Sequence, residues 1–238
     1  MPWSLVGQTD VVPSATHQPP GQQGKTNELA RRFAEEFPKL RVKAEKGDAI
    51  AQNLVGEVYG SGRWVKADPN EALQWYLRSA KKGHAPGQYN LAVALENGEG
   101  TPVNLSEALR WYKKAAHQGH APAEYNLGLM LLRGQVGKPQ PTEGAKWIQK
   151  AALQNDRLAQ VALASLYAEG NGVPKDPVEA WAWLNVVLAD KNFHFQTESL
   201  KSSQSQLHQL LTSSQLEAAR SRTHILTQQL SKASETKR

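Results

Sequence analysis

Trp75, Trp111, Trp147 and Trp183 stand 36 residues apart, and no other feature constrains the chain as much. They lie in four related segments: EALQWYLRSA from Glu71, EALRWYKKAA from Glu107, EGAKWIQKAA from Glu143 and EAWAWLNVVL from Glu179. A second series keeps the same step: GDAIAQNLVGEVYGSG from Gly47, GHAPGQYNLAVALENGEG from Gly83, GHAPAEYNLGLMLLRGQV from Gly119 and NDRLAQVALASLYAEGNG from Asn155. Self-similarity at such a period marks an array of stacked units, each too small to bury its own apolar face.

Each unit divides into two helices. The first carries Ala51, Val55, Gly56 and Tyr59 and their counterparts in later repeats, such as Gly87, Leu91, Ala92 and Leu95, on one helical face. It ends at Gly62, Gly98, Gly134 or Gly170, glycine being the residue that adopts a left-handed cap without strain. The second helix opens behind Asp68, Asn104 or Asp176, with Glu71, Glu107 or Glu179 three residues on, which predicts capping boxes. Gln140 takes the cap position in the third repeat, and Gly83 and Gly119 close the second helices. Helices this short are marginal alone, so each pair must stack on its neighbours. The expected fold is all-α: a right-handed α/α superhelical solenoid of four 36-residue helix-turn-helix repeats (47–82, 83–118, 119–154 and 155–190) with helical caps. The tryptophans are expected in the seams, and Gly56, Ala92, Gly128 and Ala164 where paired helices approach closely.

The flanks predict caps. Residues 27–46 read as an N-terminal capping helix broken by Pro38, residues 1–26 as a disordered segment, and 191–238 as capping helices with a basic tail. Phe195 and Gln196 still keep the register of Ala51 and Gln52. The last helix is expected to open at Thr212 with Gln215 as capping partner, carrying Leu216, Ala219, Thr223, Leu226 and Leu230 on one face.

The repeated Ala-x-x-x-Leu-Gly-x-x-Tyr-x-x-Gly-x-Gly-Val-x-x-Asp, followed by Glu-Ala-x-x-Trp-x-x-x-Ala-Ala, resembles the Sel-one-like repeat (SLR) family, a relative of the tetratricopeptide repeats. The likeness covers residues 47–190, and YAEGNGVPKDPVEA in the fourth repeat is its best copy. The resemblance implies a bacterial member and a non-catalytic adaptor binding a protein or peptide partner. An envelope-associated carbohydrate or cell-wall binder is the alternative it implies, and a weak hydrolase a more distant one.

Composition removes other classes. The chain has no cysteine, which excludes disulfides, zinc–thiolate sites and thiol nucleophiles. No apolar run approaches the ~18 residues of a membrane-spanning helix. The net charge of +6 sits in the flanks: residues 1–46 carry +2 and 191–238 carry +4, while the four blocks between them carry +1, 0, +2 and −3. A nucleic-acid binder would concentrate cations on one face, so nucleic acid is not expected as a partner. Residues 1–25 lack a basic stretch followed by an apolar core, so a cytoplasmic location is the default expectation, and a periplasmic or secreted one if the N-terminus is truncated or mis-assigned.

No Gly-x-Ser-x-Gly, His-Glu-x-x-His, phosphate loop or dinucleotide fingerprint occurs. No catalytic residue, cofactor or metal is therefore expected, and His84, His117 and His120 do not form a ligand set on their spacing. The binding surface is expected on the concave side, lined by first-helix residues that the seams leave over. These are Asn53 and Glu57 in the first repeat, Tyr89, Asn90 and Val93 in the second, and Tyr125, Asn126 and Leu129 in the third. Two tyrosines one repeat apart supply apolar bodies with polar tips, as a shallow peptide groove requires. The alternative is that Tyr-Asn-Leu-Gly is ordinary helix sequence and packs internally. Trp64, which replaces the smaller loop residue found at Gly100, Val136 and Gly172, reads either as an exposed anchor or as a loop plug.

Overall fold

The computed structural model describes residues 23–190 and 193–235, and the described residues form eleven helices and no strand. After α1 (Gln23–Glu45) come four hairpins: α2 (Ala49–Ser61) with α3 (Pro69–Lys81), α4 (Ala85–Asn97) with α5 (Leu105–His117), α6 (Ala121–Arg133) with α7 (Pro141–Leu153), and α8 (Arg157–Glu169) with α9 (Pro177–Leu188). Two helices close the array, α10 (Thr197–Leu210) and α11 (Ser213–Glu235). Consecutive helices pack on one another from α1 to α10, α2 also touches α4, and α11 lies on α9.

Glycine ends every first helix in the left-handed region: φ is 60° at Gly62, 77° at Gly98, 62° at Gly134 and 77° at Gly170. Where the second helices turn into the next repeat, Gly47, Gly83 and Gly119 also have positive φ. Asn155 takes that place in the fourth repeat with φ 73°, asparagine being the side-chain-bearing residue that best tolerates it.

The caps follow half of the expectation. Asp68, Asn104 and Asp176 each accept a backbone N–H from the residue three on, Glu71, Glu107 and Glu179. The glutamates do not reach back. The cap N–H of Asp68, Asn104, Gln140 and Asp176 instead donates to the carbonyl nine residues earlier, on Tyr59, Leu95, Leu131 and Tyr167. One backbone bond closes each loop, leaving the carboxylates for other work, and Glu179 pairs with Arg222 of α11.

The small residues let the hairpins close. A Cβ on Gly56 would lie 2.6 Å from the Tyr76 ring, and one on Gly128 would lie 2.6 Å from Ile148 Cγ1 and 2.8 Å from the Gly144 carbonyl oxygen. Trp75, Trp111 and Trp183 are buried, and Trp147 is half-buried. Arg78, Lys114 and Lys150 sit over the rings of Trp75, Trp111 and Trp147. Val186 occupies that place beside Trp183, the most enclosed of the four at 1% exposure.

A further 36-residue rung joins neighbouring repeats. Gln52, Gln88 and Gln160 are buried and donate their amides to the carbonyls of Ala44, Ala80 and Ala152, near the end of the preceding helix. Each bond satisfies an end-of-helix acceptor. Glu124 holds the same position in the third repeat and accepts from Gln154 at 2.6 Å.

Three flank expectations are corrected. Pro38 does not break the first cap: α1 runs continuously from Gln23, with Pro38 and Ala34 both on its exposed side, where water can hydrate the carbonyl whose partner proline lacks. Residues 23–26 are helical, and the remaining N-terminal residues of the expected disordered segment lie outside the described residues, as do 236–238 of the tail. Phe195 and Gln196 do not repeat Ala51 and Gln52; Phe195 is 44% exposed and Gln196 takes φ 47° ahead of α10. At the last helix, Thr212 and Gln215 cap reciprocally, and Ala219, Leu226 and Leu230 are buried.

Candidate functional site

The tyrosine surface is built from the middle turns of α4 and α6, where the 36-residue step places Tyr89 one repeat from Tyr125. The side chains do not all stand clear of the seams. Asn53, in the equivalent place in α2, is only 3% exposed and donates to Glu57 Oε1 at 2.7 Å. Asn90 reaches from α4 to Asn53 Oδ1 at 2.9 Å and Glu57 Oε1 at 3.2 Å. Asn126 donates to the Tyr112 hydroxyl at 3.1 Å, which in turn donates to Glu96 at 2.8 Å. Both asparagines thus tie elements together, offsetting their weak helix propensity.

Tyr89 is half-buried, with its ring 5.9 Å from Tyr112 and 5.0 Å from His120. Tyr125 is half-buried against the core of the third and fourth repeats, as is Leu129, while Val93 packs on that of the second and third. Burial pushes both tyrosine hydroxyls above their usual range. Burial likewise holds His84 and His120 below the ordinary imidazole value. The histidines serve separate purposes: His84 and His120 cap α4 and α6 without a side-chain cap bond, and His117 packs edge-on against Trp147 at 5.2 Å. Among the described residues, no three His, Cys, Asp or Glu side chains converge as a metal site would require.

A second site escaped the sequence reading. Between α1 and α2 an open groove of about 630 Å³ is lined by Phe33, Phe37, Leu40, Leu54, Val58 and Trp64, with Lys43 and Arg63 among the polar residues beside them. Phe33 stacks on Phe37 at 4.9 Å and on Trp64 at 5.2 Å, and Arg63 lies over the Trp64 ring. Trp64 is therefore not a free anchor; half-buried against Phe33, it forms one end wall of the groove. Leu54 on the α2 wall is 40% exposed. Its sequence signal is Phe33, Phe37, Leu40 and Ala44, which share one face only when the helix runs unbroken through Pro38.

Comparison with known proteins follows the same register. Residues 49–84, 85–120, 121–156 and 157–185 match the Sel1 repeat, more than half of the chain. The crystal structure of a Sel1 repeat protein from Oxalobacter formigenes is similar at 30% identity and TM-score 0.63, over 72% of this chain and 48% of that one. A protective antigen of uropathogenic Escherichia coli displaying an SLR fold is similar at 29% identity and TM-score 0.51, over 84% of this chain and 50% of that one. The chain thus spans about half the length of these two solved relatives. No curated protein matches it. Four hairpins in one register, the recurring caps and these matches agree: the chain belongs to the Sel1 repeat family.

Proposed function

We propose that this solenoid is a non-catalytic scaffold that holds a protein or extended peptide on its concave face, against the first helices of the second and third repeats. Sel1 repeat solenoids are generally protein–protein interaction scaffolds. One observation carries the placement: Tyr89, Val93, Tyr125 and Leu129 stay partly open while the residues behind them, Leu91, Ala92, Leu127 and Gly128, are buried. Side chains fixed from behind and open in front offer contact area at little further cost in rotamer entropy. The carbohydrate reading has less support, because Tyr89 turns its ring toward Tyr112 and His120 rather than offering a free face.

The test begins with a partner identified by cross-linking in cells and purified. Val93→Glu and Tyr125→Arg should each weaken its binding to the solenoid by about tenfold or more, since a buried unpaired charge costs several kcal/mol, with the helical circular dichroism retained. Unchanged affinity in both folded variants would remove the concave face of these repeats as the binding surface.

A further inference from the structure

The groove between α1 and α2 lies where the 36-residue register would place a first helix paired with α1. Its α1 wall contains Glu36, Leu40 and Lys43, which stand 36 residues before Ala72, Tyr76 and Ser79 of α3. Those three residues hold the first helix of their own hairpin: Gly56 of α2 lies against Tyr76 and Ala72, and Ser79 Oγ donates to the Ala49 carbonyl at 2.7 Å. The α2 wall contains Leu54 and Glu57, which precede Asn90 and Val93 of α4 by the same step. Asn90 is the residue through which α4 grips α2, the preceding first helix. The end wall agrees as well. Gly100 and Gly172 lie against the Pro69 and Pro141 carbonyls at the start of the preceding second helix, and Trp64 lies on Phe33, the residue one step before Pro69. All three boundaries of a first-helix seat are therefore present on α1 and its neighbours.

The sequence that falls in this register is unsuited to a helix. A 36-residue step back from α2 falls on residues 13–25, PSATHQPPGQQGK, whose last three residues belong to α1 and whose interior carries Pro19 and Pro20. Two adjacent prolines inside a helix remove two hydrogen bonds and clash with the preceding turn.

We infer that the seat takes an amphipathic helix from a partner protein, one with an acidic first turn, docked as the missing first helix of the array. The mode is helix-in-groove recognition, and the walls continue the seams that already hold the hairpins together. Charge specifies the occupant's direction. In the second and third repeats, Gln118 donates to Gln88 and Gln154 to Glu124, each from the end of the second helix to the first turn of its partner. On α1 the equivalent residue is Lys46, with Lys43 one turn before it. Neither lysine, nor Arg63, forms an ion pair among the described residues. Lysines beside a helix N-terminus oppose its dipole unless a carboxylate stands between them, so the occupant's first turn should carry Asp or Glu. This deepens the scaffold reading but concerns a different surface, so each can fail alone.

A surrogate occupant exists in the chain itself. The α6 sequence, residues 120–134, offers Glu124 in its first turn, Gly128 for the α1 wall, and Tyr125 and Leu129 for the Leu54 side. A fluorescein-labelled peptide of that sequence should bind the full chain saturably in an anisotropy titration. Leu54→Glu, at an exposed position, should weaken binding by about tenfold or more. Lys46→Glu should weaken it about threefold, with recovery when the peptide carries Lys in place of Glu124. Absence of saturable binding, or affinity indifferent to Leu54→Glu, overturns the inference. So does loss on Tyr125→Arg alone, which would place the peptide on the concave face. Self-association in sedimentation velocity that Leu54→Glu abolishes would also overturn it, by making a second copy the occupant.

Discussion

At the scale of single residues, the repeat exposes its own irregularities, and each is a prediction. Glu124 stands where Gln52, Gln88 and Gln160 donate to a helix-end carbonyl. Glu124→Gln would supply a donor for the Ala116 carbonyl and keep an acceptor for Gln154, so it should stabilise the fold by about 0.5–1.5 kcal/mol, read as a higher urea midpoint. Gly128→Ala runs the other way. The added methyl meets the Gly144 backbone as well as the Ile148 side chain, so the loss should be at least about 1–3 kcal/mol and exceed that of Gly56→Ala, whose main obstacle is the Tyr76 ring.

The half-buried histidines give a pH dependence. Unfolded, His84 and His120 titrate near 6.5; folded, burial lowers both. Between the two values the unfolded chain binds more protons, so the stability from burying neutral imidazoles is complete above 6.5 and is lost as pH falls toward the folded value. Thermal midpoints should therefore drop from about pH 7.5 to about pH 5.5, and His120→Asn, a good cap without that titration, should reduce the drop. An equal drop in the variant would exclude His120 as a source.

At the scale of elements, the four equivalent tryptophans are not energetically equivalent. Trp183 is enclosed and lies in the core shared by α9, α10 and α11, whereas Trp147 keeps part of its ring in solvent under Lys150. Trp183→Ala should cost about 3–5 kcal/mol, and Trp147→Ala clearly less, by chemical denaturation. The 36-residue step made the hairpins legible because every repeat restates the same burial pattern. It could not reveal how the ends depart from it. Pro38 reads as a breaker in isolation, yet it lies on the exposed face of α1, where the lost hydrogen bond goes to water. The glutamates after Asp68 and Asn104 read as capping partners, but the cap N–H groups find carbonyls on the preceding helix, a tertiary solution that local spacing does not encode. For the tyrosine surface, the sequence shows the 36-residue register of Tyr89 and Tyr125 but not how the residues beside them are engaged. Asn90 and Asn126 are tied by bonds to residues 37 and 14 positions away, and only the fold brings those together.

At the scale of the whole molecule, the array is nearly one-dimensional, each hairpin held by its neighbours through the same few contacts. The glutamine rung, with Gln52 reaching back to Ala44, Gln88 to Ala80 and Gln160 to Ala152, treats three of the four junctions alike, Glu124 standing at the other. Excising residues 119–154 would bring Gln160 opposite Ala116 and leave Asn155 to take the left-handed turn after α5 in place of Gly119. That shortened chain should still fold cooperatively, with a smaller denaturant slope, whereas excising 35 residues should not, because every rung beyond the cut would face the wrong carbonyl. In such a protein, length is an adjustable quantity counted in whole hairpins, so the reach of the scaffold can change by duplication or loss of a unit without redesign of any joint.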